Sequence, residues 1–233
     1  MSQPPLSHRY YDLRSPEPDK VHVWVANLVP PAGDAARWLA GTTDAERERA
    51  SRFYRRDDGE RYLFAHGALR LVLADYLTCD PRALRFGAQE NGKPFVEDAD
   101  IEFNLSHSGD LALIAVARGR QVGVDVEQLR PMPDLESVAA RICTPSELAA
   151  ITGLAQAHRE RAFFALWTRK EALAKATGEG IGGVFRHARE ASAELQDRWT
   201  LSEVNDLPGY AACVAAEGAG WELVRCTMAD GIR

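Results

Sequence analysis

Two carboxylates alternate with valines in the segment Gly123-Val124-Asp125-Val126-Glu127. In a β-strand, residues two apart project from the same face about 7 Å apart. Asp125 and Glu127 would therefore stand side by side while the valines enter a core. Two like charges held together need protons, a basic partner or a hard cation to offset their repulsion, and Mg²⁺ prefers such oxygen ligands. For this segment taken alone, a solvated strand face with two acids is the alternative interpretation.

A second group of charges lies in the stretch 162–175, which has helical spacing. At about 100° per residue, Lys170 and Glu171 fall within the apolar face, while Thr168 and Ala172 fall on the opposite face. The predicted apolar face consists of Phe163, Phe164, Leu166, Trp167, Leu173 and Ala174. A charge in a buried stripe is costly unless it is paired or bound to a metal. A Lys at the edge of the stripe and a Glu paired with an arginine remain the alternative.

These two groups predict one site. Glu171 would supply a third carboxylate to a Mg²⁺ site shared with Asp125 and Glu127. Lys175 lies one helical turn beyond Glu171 and could face an anionic group bound to that metal.

A third group, Phe103-Asn104-Leu105-Ser106-His107-Ser108-Gly109, has the form of a strand that ends in a polar binding loop. A structural His at a turn is the alternative. The segment is a poor candidate for a serine-hydrolase triad, because the G-x-S-x-G elbow is absent. Upstream, Gly92-Lys93-Pro94 forms a rigid turn with an ammonium group, which suits a phosphate but is equally common as a plain surface turn.

The elements that must position these residues follow from local signals. Strands are predicted at 21–29, 101–105, 111–117, 121–127, 210–216 and 221–227. Helices are predicted after a cap at Thr43 or Asp44, from about 60 to 77, after the capping box Thr144-Pro145-Ser146-Glu147, and from about 157 to 177, stopping at Gly178. Two rounds of strands and helices suggest a duplicated α+β unit with a boundary near 119–121.

Composition narrows the functional classes. The 233 residues are 45% apolar and carry a formal net charge of −6, which disfavours a general nucleic-acid binder. No run reaches the roughly 18 apolar residues that span a bilayer, and residues 1–20 lack the apolar core of a signal peptide, so a cytoplasmic protein without membrane attachment is expected. The cysteines Cys79, Cys143, Cys213 and Cys226 are far apart and predict free thiols.

The ordered segments G-K-P at 92–94, F-N-L-S-H-S at 103–108, G-V-D-V-E at 123–127 and W-T-R-K-E-A at 167–172 resemble the signature of the Sfp-type 4′-phosphopantetheinyl transferases. The resemblance spans residues 21–227. It implies an α+β fold of two similar halves with pseudo-twofold symmetry and an active site in the cleft between them. The corresponding division is a loosely ordered arm at 1–20, an N-terminal half at 21–119 on the nucleotide side of coenzyme A, and a C-terminal half at 120–233 on the Mg²⁺ side.

The resemblance also implies roles for individual residues. Asp125, Glu127 and Glu171 would hold Mg²⁺ against the pyrophosphate of coenzyme A, and Lys170 would neighbour the reaction centre. The residues expected to contact the cofactor are Arg49, Arg61, Lys93, Pro94, Ser106, His107, Asp125 and Lys175. Arg49 stands where other members often have lysine.

The implied reaction is attack by a serine of an acyl or peptidyl carrier protein on the β-phosphate of coenzyme A, releasing 3′,5′-ADP. Glu171 is the candidate general base, although a ligand role would leave it a weaker base. The enzyme is expected to be a monomer. A non-catalytic module that binds coenzyme A or a carrier domain is the alternative function. A different Mg²⁺-dependent phosphotransferase is disfavoured, because the motif G-x-x-x-x-G-K-[ST] is absent.

Overall fold

The computed structural model describes residues 16–179 and 198–228. The first part of the chain forms β1 (Lys20–Asn27), α1 (Ala32–Ala40), α2 (Asp44–Ser51), α3 (Arg56–Leu77), a 3₁₀ turn (Pro81–Ala83), the hairpin β2 (Phe86–Ala88) and β3 (Pro94–Val96), then β4 (Glu102–Ser108) and β5 (Leu111–Ala117). The second part forms β6 (Val122–Gln128), α4 (Leu135–Ile142), α5 (Pro145–Thr152), α6 (Gln156–Thr177), β7 (Trp199–Glu203), β8 (Tyr210–Glu217) and β9 (Glu222–Thr227).

The two parts have the same sheet topology. The first sheet contains the order β4-β5-β1 and the second the order β7-β8-β6, and all four of these pairings are antiparallel. In each part a strand is followed by three helices and later by two further strands of the same sheet, and in the first part the separate hairpin β2–β3 precedes those two strands. This confirms the predicted α+β fold of two similar halves. The strand β9 departs from the repeat, because it crosses back and pairs with β1 in parallel.

Helix ends repeat as well. Thr43 and Thr144 each begin a short helix with a complete capping box, in which the glutamate three residues later returns a hydrogen bond to the threonine backbone. The two long helices, α3 and α6, both have 22 residues and both end at a left-handed residue, Thr78 and Gly178 respectively. The structure therefore confirms Thr43 as the cap, the predicted capping box at Thr144 and the predicted stop at Gly178.

The strand β1 is buried on both faces, which explains its nearly continuous apolar sequence. Trp24 and Ala26 belong to the core between the first sheet and α3, while Val21 and Val23 belong to a second core shared with β6 and β8. The two sheets thus pack against each other through the face of the first sheet that α3 leaves free. The halves share a continuous apolar interior.

The packing of α6 corrects the predicted apolar face. Thr168 and Ala172 are buried, although the sequence pattern placed them on the opposite face. They are buried because α6 lies directly on β6 and β8. At Gly123 of β6, an added Cβ would lie only 2.2 Å from the carbonyl oxygen of Ala172. The helix is therefore seated by its small residues, while Phe163 and Phe164, nearer its start, pack against α4 and α5.

All four cysteines are free thiols, as predicted. Within residues 16–179 and 198–228, no helix is both long and apolar enough to cross a membrane. Most of the predicted N-terminal arm lies outside the described residues, and the division of the chain into 1–20, 21–119 and 120–233 stays a prediction.

Candidate functional site

The strands β4 and β6 bring the polar loop motif against the acidic motif. They run side by side without a backbone ladder, and side-chain oxygens of β4 take the place of backbone acceptors. The three bonds run from Val124 N to Asn104 Oδ1 (2.9 Å), from Val126 N to Ser106 Oγ (3.3 Å) and from Gln128 N to Ser108 Oγ (3.1 Å). Because residues two apart share a face of a strand, Asn104, Ser106 and Ser108 form one row of acceptors. This side-chain ladder joins the two halves at the cleft.

Asp125 is the most buried of the three predicted acids. Its Oδ1 accepts from Lys175 Nζ at 2.7 Å and from Ser106 Oγ at 2.9 Å. Its Oδ2 is buried without a hydrogen-bond partner. Burial raises the pKa of Asp125, and the Lys175 and Ser106 contacts oppose that rise.

Glu127 and Glu171 complete the acidic cluster, which we define as Asp125, Glu127 and Glu171. Glu127 Oε2 accepts from Ser108 Oγ at 2.8 Å. Burial, followed by the charge of Asp125, raises the pKa of Glu171, with the Lys175 ammonium opposing and Glu127 adding to the rise. The helix α6 thus brings Glu171 into the electrostatic field of both strand acids. Lys175 from the same helix faces Asp125 one turn further on.

The acidic cluster suits a hard cation in its chemistry. Asp125 has a buried carboxylate oxygen without a partner, and burial together with the neighbouring carboxylates raises the pKa of Glu171. A bound divalent ion would offset both costs. Across the described ranges, however, no three acidic, His or Cys side chains already lie close enough together to form a metal site. A cation would have to draw the carboxylates together and share Asp125 with Lys175.

A basic and aromatic surface lies beside the acidic cluster. His107 projects from the opposite face of β4 to Ser106 and is exposed. Partial burial, followed by the charges of His66 and Lys175, lowers the pKa of His107. The Tyr62 and His66 rings lie 4.1 Å apart, and the Arg49 guanidinium lies over the Tyr62 ring at 5.3 Å. Two of the predicted cofactor contacts, Arg49 and His107, therefore belong to this surface.

Arg61 occupies the edge of the same cleft. Its guanidinium binds Asp110 in the turn between β4 and β5, with Nη2 2.9 Å from Asp110 Oδ1. The Asp110 backbone N–H in turn donates to the Tyr210 hydroxyl at 3.2 Å. A phosphate contact by Arg61 would have to compete with Asp110.

The structure does not bring Lys93 to the acidic cluster. Its ammonium is buried and donates to Gln121 Oε1 (2.8 Å) and to the carbonyls of Val122 (2.9 Å) and Ala176 (3.1 Å). Burial lowers the pKa of Lys93 to about 8, with Glu102 and Glu217 opposing. Lys93 thus ties the β2–β3 hairpin to β6 and the end of α6, and its predicted phosphate contact finds no support in this arrangement. Pro94, the first residue of β3, is exposed.

Lys170 also has a different environment from the one predicted. Its buried ammonium lies 2.9 Å from Glu147 Oε2, and Glu147 is the capping-box residue of α5. Burial alone would raise the pKa of Glu147. Its contacts with Thr144 and Lys170 outweigh that effect, so the pKa is lowered. This ion pair fastens α5 to α6, so Lys170 has a structural function here, and a position beside the reaction centre stays a prediction.

Asn104 of the side-chain ladder and Tyr62 and His66 of the basic and aromatic surface were not assigned roles from the sequence. The strand predicted at 101–105 continues to Ser108 in the structure, so residues 106–108, predicted as a polar loop, belong to β4. Asn104 was recognisable in principle, because the polar side chains at 104, 106 and 108 alternate with the period of a strand. Tyr62 and His66 are separated by one helical turn and give no comparable signal.

Comparison with known proteins places both halves in one family. Residues 121–220 match the family model described as 4′-phosphopantetheinyl transferase superfamily, and residues 30–119 match the model described as 4′-phosphopantetheinyl transferase, N-terminal.

Individual relatives agree with the family models. The 4′-phosphopantetheinyl transferase HetI of Nostoc sp. is 36% identical over 214 residues, covering 88% of this chain and 90% of the relative. The 4′-phosphopantetheinyl transferase Sfp of Bacillus subtilis is 31% identical over 191 residues, covering 77% of this chain and 84% of the relative. A phosphopantetheinyl transferase of Thraustochytrium sp. is 35% identical over 182 residues, covering 71% of this chain and 63% of the relative.

Proposed function

The chain belongs to the 4′-phosphopantetheinyl transferase superfamily, and we propose that it uses the acidic cluster with Mg²⁺ to transfer the arm of coenzyme A to a carrier protein. It is an enzyme that takes coenzyme A as substrate and places 4′-phosphopantetheine on a carrier-protein serine. The acidic cluster carries the metal proposal, because Asp125 Oδ2 is buried without a partner beside two further carboxylates.

Asp125, Glu127 and Glu171 would hold Mg²⁺, and the ion would supply positive charge to offset that of the pyrophosphate oxygens of coenzyme A. Lys175 supports the same function from the protein side, because its ammonium already lies between Asp125 and Ser106 at the mouth of the cluster. As a fixed cation it would stabilise the charge that develops on the transferring phosphoryl group.

The chemical step forms a bond between the carrier serine Oγ and the β-phosphorus of coenzyme A and breaks the bond between that phosphorus and the bridging oxygen. The leaving group is 3′,5′-ADP. The serine proton needs an acceptor, and Glu171 is our candidate, because it is the carboxylate that α6 adds to the two strand acids in the cleft. Correct positioning of the two substrates in the cleft between the halves accounts for much of the rate.

The nucleotide end of coenzyme A is proposed to bind the basic and aromatic surface around His107. Arg49 and His107 supply donors there, and Ser106 on the same strand reaches toward the pyrophosphate side. Arg61 would join them by releasing Asp110. Because these groups come from α2, α3 and β4, the N-terminal half (21–119) would hold the nucleotide, while β6 and α6 of the C-terminal half (120–233) hold the reacting phosphates.

The carrier is proposed to be an acyl or peptidyl carrier protein, and the enzyme to act as a cytoplasmic monomer with no nucleic-acid or membrane partner. The net charge of −6 supports the exclusion of nucleic acid.

The decisive experiment incubates the purified protein with coenzyme A, Mg²⁺ and an apo carrier protein and then weighs the carrier by mass spectrometry. We expect the carrier to gain one phosphopantetheine group and 3′,5′-ADP to accumulate in equal amount. A parallel reaction with EDTA should give no gain in mass, and excess Mg²⁺ should restore it. Transfer that continues in EDTA would refute the metal proposal. Binding of coenzyme A without transfer to acyl or peptidyl carriers would favour a binding module.

A further inference from the structure

Each serine in the side-chain ladder contacts both a backbone N–H of β6 and an acid of β6, in a unit that repeats after two residues. Ser106 Oγ accepts from Val126 N and contacts Asp125 Oδ1 at 2.9 Å. Ser108 Oγ accepts from Gln128 N and contacts Glu127 Oε2 at 2.8 Å. The repeat has the period of the strand, so the acids and the serines are in register along β4 and β6.

The direction of the hydrogen bonds at Ser108 is fixed by the backbone. The Gln128 N–H can only donate, so it occupies a lone pair of the Ser108 oxygen. The hydroxyl proton is then free to point to the Glu127 carboxylate, which as an anion can only accept. A hydroxyl held in this way selects one orientation of the carboxylate.

Glu127 needs this constraint more than the other strand acid does. Asp125 is short, buried and bound by both Lys175 and Ser106. Glu127 has a longer side chain, is only partly buried, and its side-chain hydrogen bond within the described residues comes from Ser108. A free glutamate samples several rotamers, and fixing them at the moment a ligand binds costs affinity.

We propose that Ser108 is a positioning residue that aims the Glu127 carboxylate into the acidic cluster before a divalent cation binds. This inference rests on the proposed function, since it assumes that the acidic cluster holds the metal. Hydrogen bonds from outer groups to ligating carboxylates typically contribute about 10- to 100-fold to metal affinity, and Ser108 makes such a bond to Glu127.

The test compares the intact wild-type chain with Ser108→Ala, Ser108→Thr and Asn104→Ala. Mn²⁺ binding in the presence of coenzyme A is measured by electron paramagnetic resonance, and amide exchange of Val124 and Gln128 is measured by NMR on the metal-free proteins. We expect Ser108→Ala to weaken Mn²⁺ binding about 10- to 100-fold and to speed exchange at Gln128. Ser108→Thr keeps the hydroxyl and should bind Mn²⁺ nearly as the wild type does.

Asn104→Ala is the matched control, because Asn104 belongs to the same ladder but donates to no acid of the cluster in the described contacts. It should speed exchange at Val124 and leave Mn²⁺ affinity unchanged. Should Ser108→Ala fail to fold, Ser108→Cys replaces it, because a thiol of similar shape donates only weakly. Wild-type affinity in Ser108→Ala, or an equal loss in Asn104→Ala, overturns the positioning role alone. A wild-type chain that binds no Mn²⁺ overturns the metal proposal and this inference together.

Discussion

The Lys175 ammonium lies 2.7 Å from Asp125 Oδ1 and so joins α6 to the middle of β6 across the proposed active site. The Asp125 side chain is 6% exposed and the Lys175 side chain 29% exposed. Solvent therefore screens the pair only in part, and removing one partner leaves the other without its counter-charge.

We expect Lys175→Met to destabilise the protein by about 2 kcal/mol, since it leaves a buried carboxylate unpaired. The double variant Lys175→Met with Asp125→Asn should recover part of that loss, because the uncompensated charge is gone. Urea unfolding of the two single variants and the double variant measures the coupling. Strictly additive losses would show that the pair contributes no interaction to the folded state.

Glu171→Gln should lower transfer to a carrier protein by about 100-fold or more, because it removes both a proposed metal ligand and the candidate base. Its melting temperature should stay level or rise slightly, since burial and the neighbouring acids disfavour the Glu171 charge in the protein without metal. Turnover is read by mass spectrometry of the carrier. The exposed Glu60→Gln is the control and should leave turnover unchanged; full turnover in Glu171→Gln would remove Glu171 from the mechanism.

Gly123→Ala should destabilise the protein by about 1 to 3 kcal/mol, because the new methyl group collides with the α6 backbone. It should also lower transfer, since α6 carries Glu171 and Lys175 and would have to move away from β6. Gly33→Ala is the control, because nothing lies within 4 Å of its new Cβ. Alanine should raise the free energy of unfolding by about 0.5 kcal/mol relative to glycine in a helix. Thermal unfolding distinguishes the two variants, and a neutral Gly123→Ala would contradict the close contact.

Lys93→Met separates the two functions considered for Lys93. If the ammonium ties the hairpin to α6, the variant should lose about 2 kcal/mol of stability, because two buried carbonyls lose a charged donor. The KM for coenzyme A should then change little. Unchanged stability with a much higher KM would instead favour the predicted phosphate contact. Urea unfolding and steady-state kinetics on one preparation give both quantities.

His22 makes stability depend on pH. The Trp24 indole N–H donates to the Tyr76 hydroxyl at 2.9 Å, and the same hydroxyl is hydrogen-bonded to His22 Nδ1 at 2.6 Å, which places the imidazole in the core. Burial lowers the pKa of His22 from 6.5 to about 4. Between these values the unfolded chain binds a proton that the folded chain does not, so stability falls as pH falls from 6.5 to 4.

The expected loss over that window is about 3 kcal/mol. Urea unfolding at pH 7 and pH 4.5 should show a smaller pH effect in His22→Gln, which keeps an acceptor but cannot titrate. Because carboxyl groups also titrate at these pH values, the quantity to compare between wild type and variant is the change in the free energy of unfolding from pH 7 to pH 4.5. An identical pH effect in both would exclude His22 as its source.

Local signals in the sequence predicted much of the fold. The cap at Thr43, the capping box at Thr144 and the glycine stop at Gly178 depend on residues a few positions apart, so they could be predicted directly. The buried side of α6 could not be predicted in this way, because a periodicity argument looks for large apolar residues. Thr168 and Ala172 are buried because they are small and let the helix approach the sheet closely. Only the position of Gly123 on a different element explains why the helix turns that side to the sheet.

The candidate site was predictable in part. The alternation of Asp125 and Glu127 along a strand correctly indicated a shared face, and the spacing of Glu171 and Lys175 correctly indicated one helix face. The environments of Lys93 and Lys170 were not predictable, because the groups that accept their hydrogen bonds lie far away in the chain. Those acceptors compete with any phosphate for the ammonium protons. A motif in the sequence gives the residue type, whereas the neighbours in the folded protein determine which group the side chain binds.

The parallel pairing of β9 with β1 has a consequence for biosynthesis. On the ribosome, β1 emerges before the other described strands, but its neighbour at the sheet edge, β9, is the last of them to be made. Until then β1 presents an unpaired edge, the kind of surface on which chains aggregate. The nascent N-terminal half therefore depends on the synthesis of β9, or on a chaperone that shields the edge in the meantime, to complete its sheet.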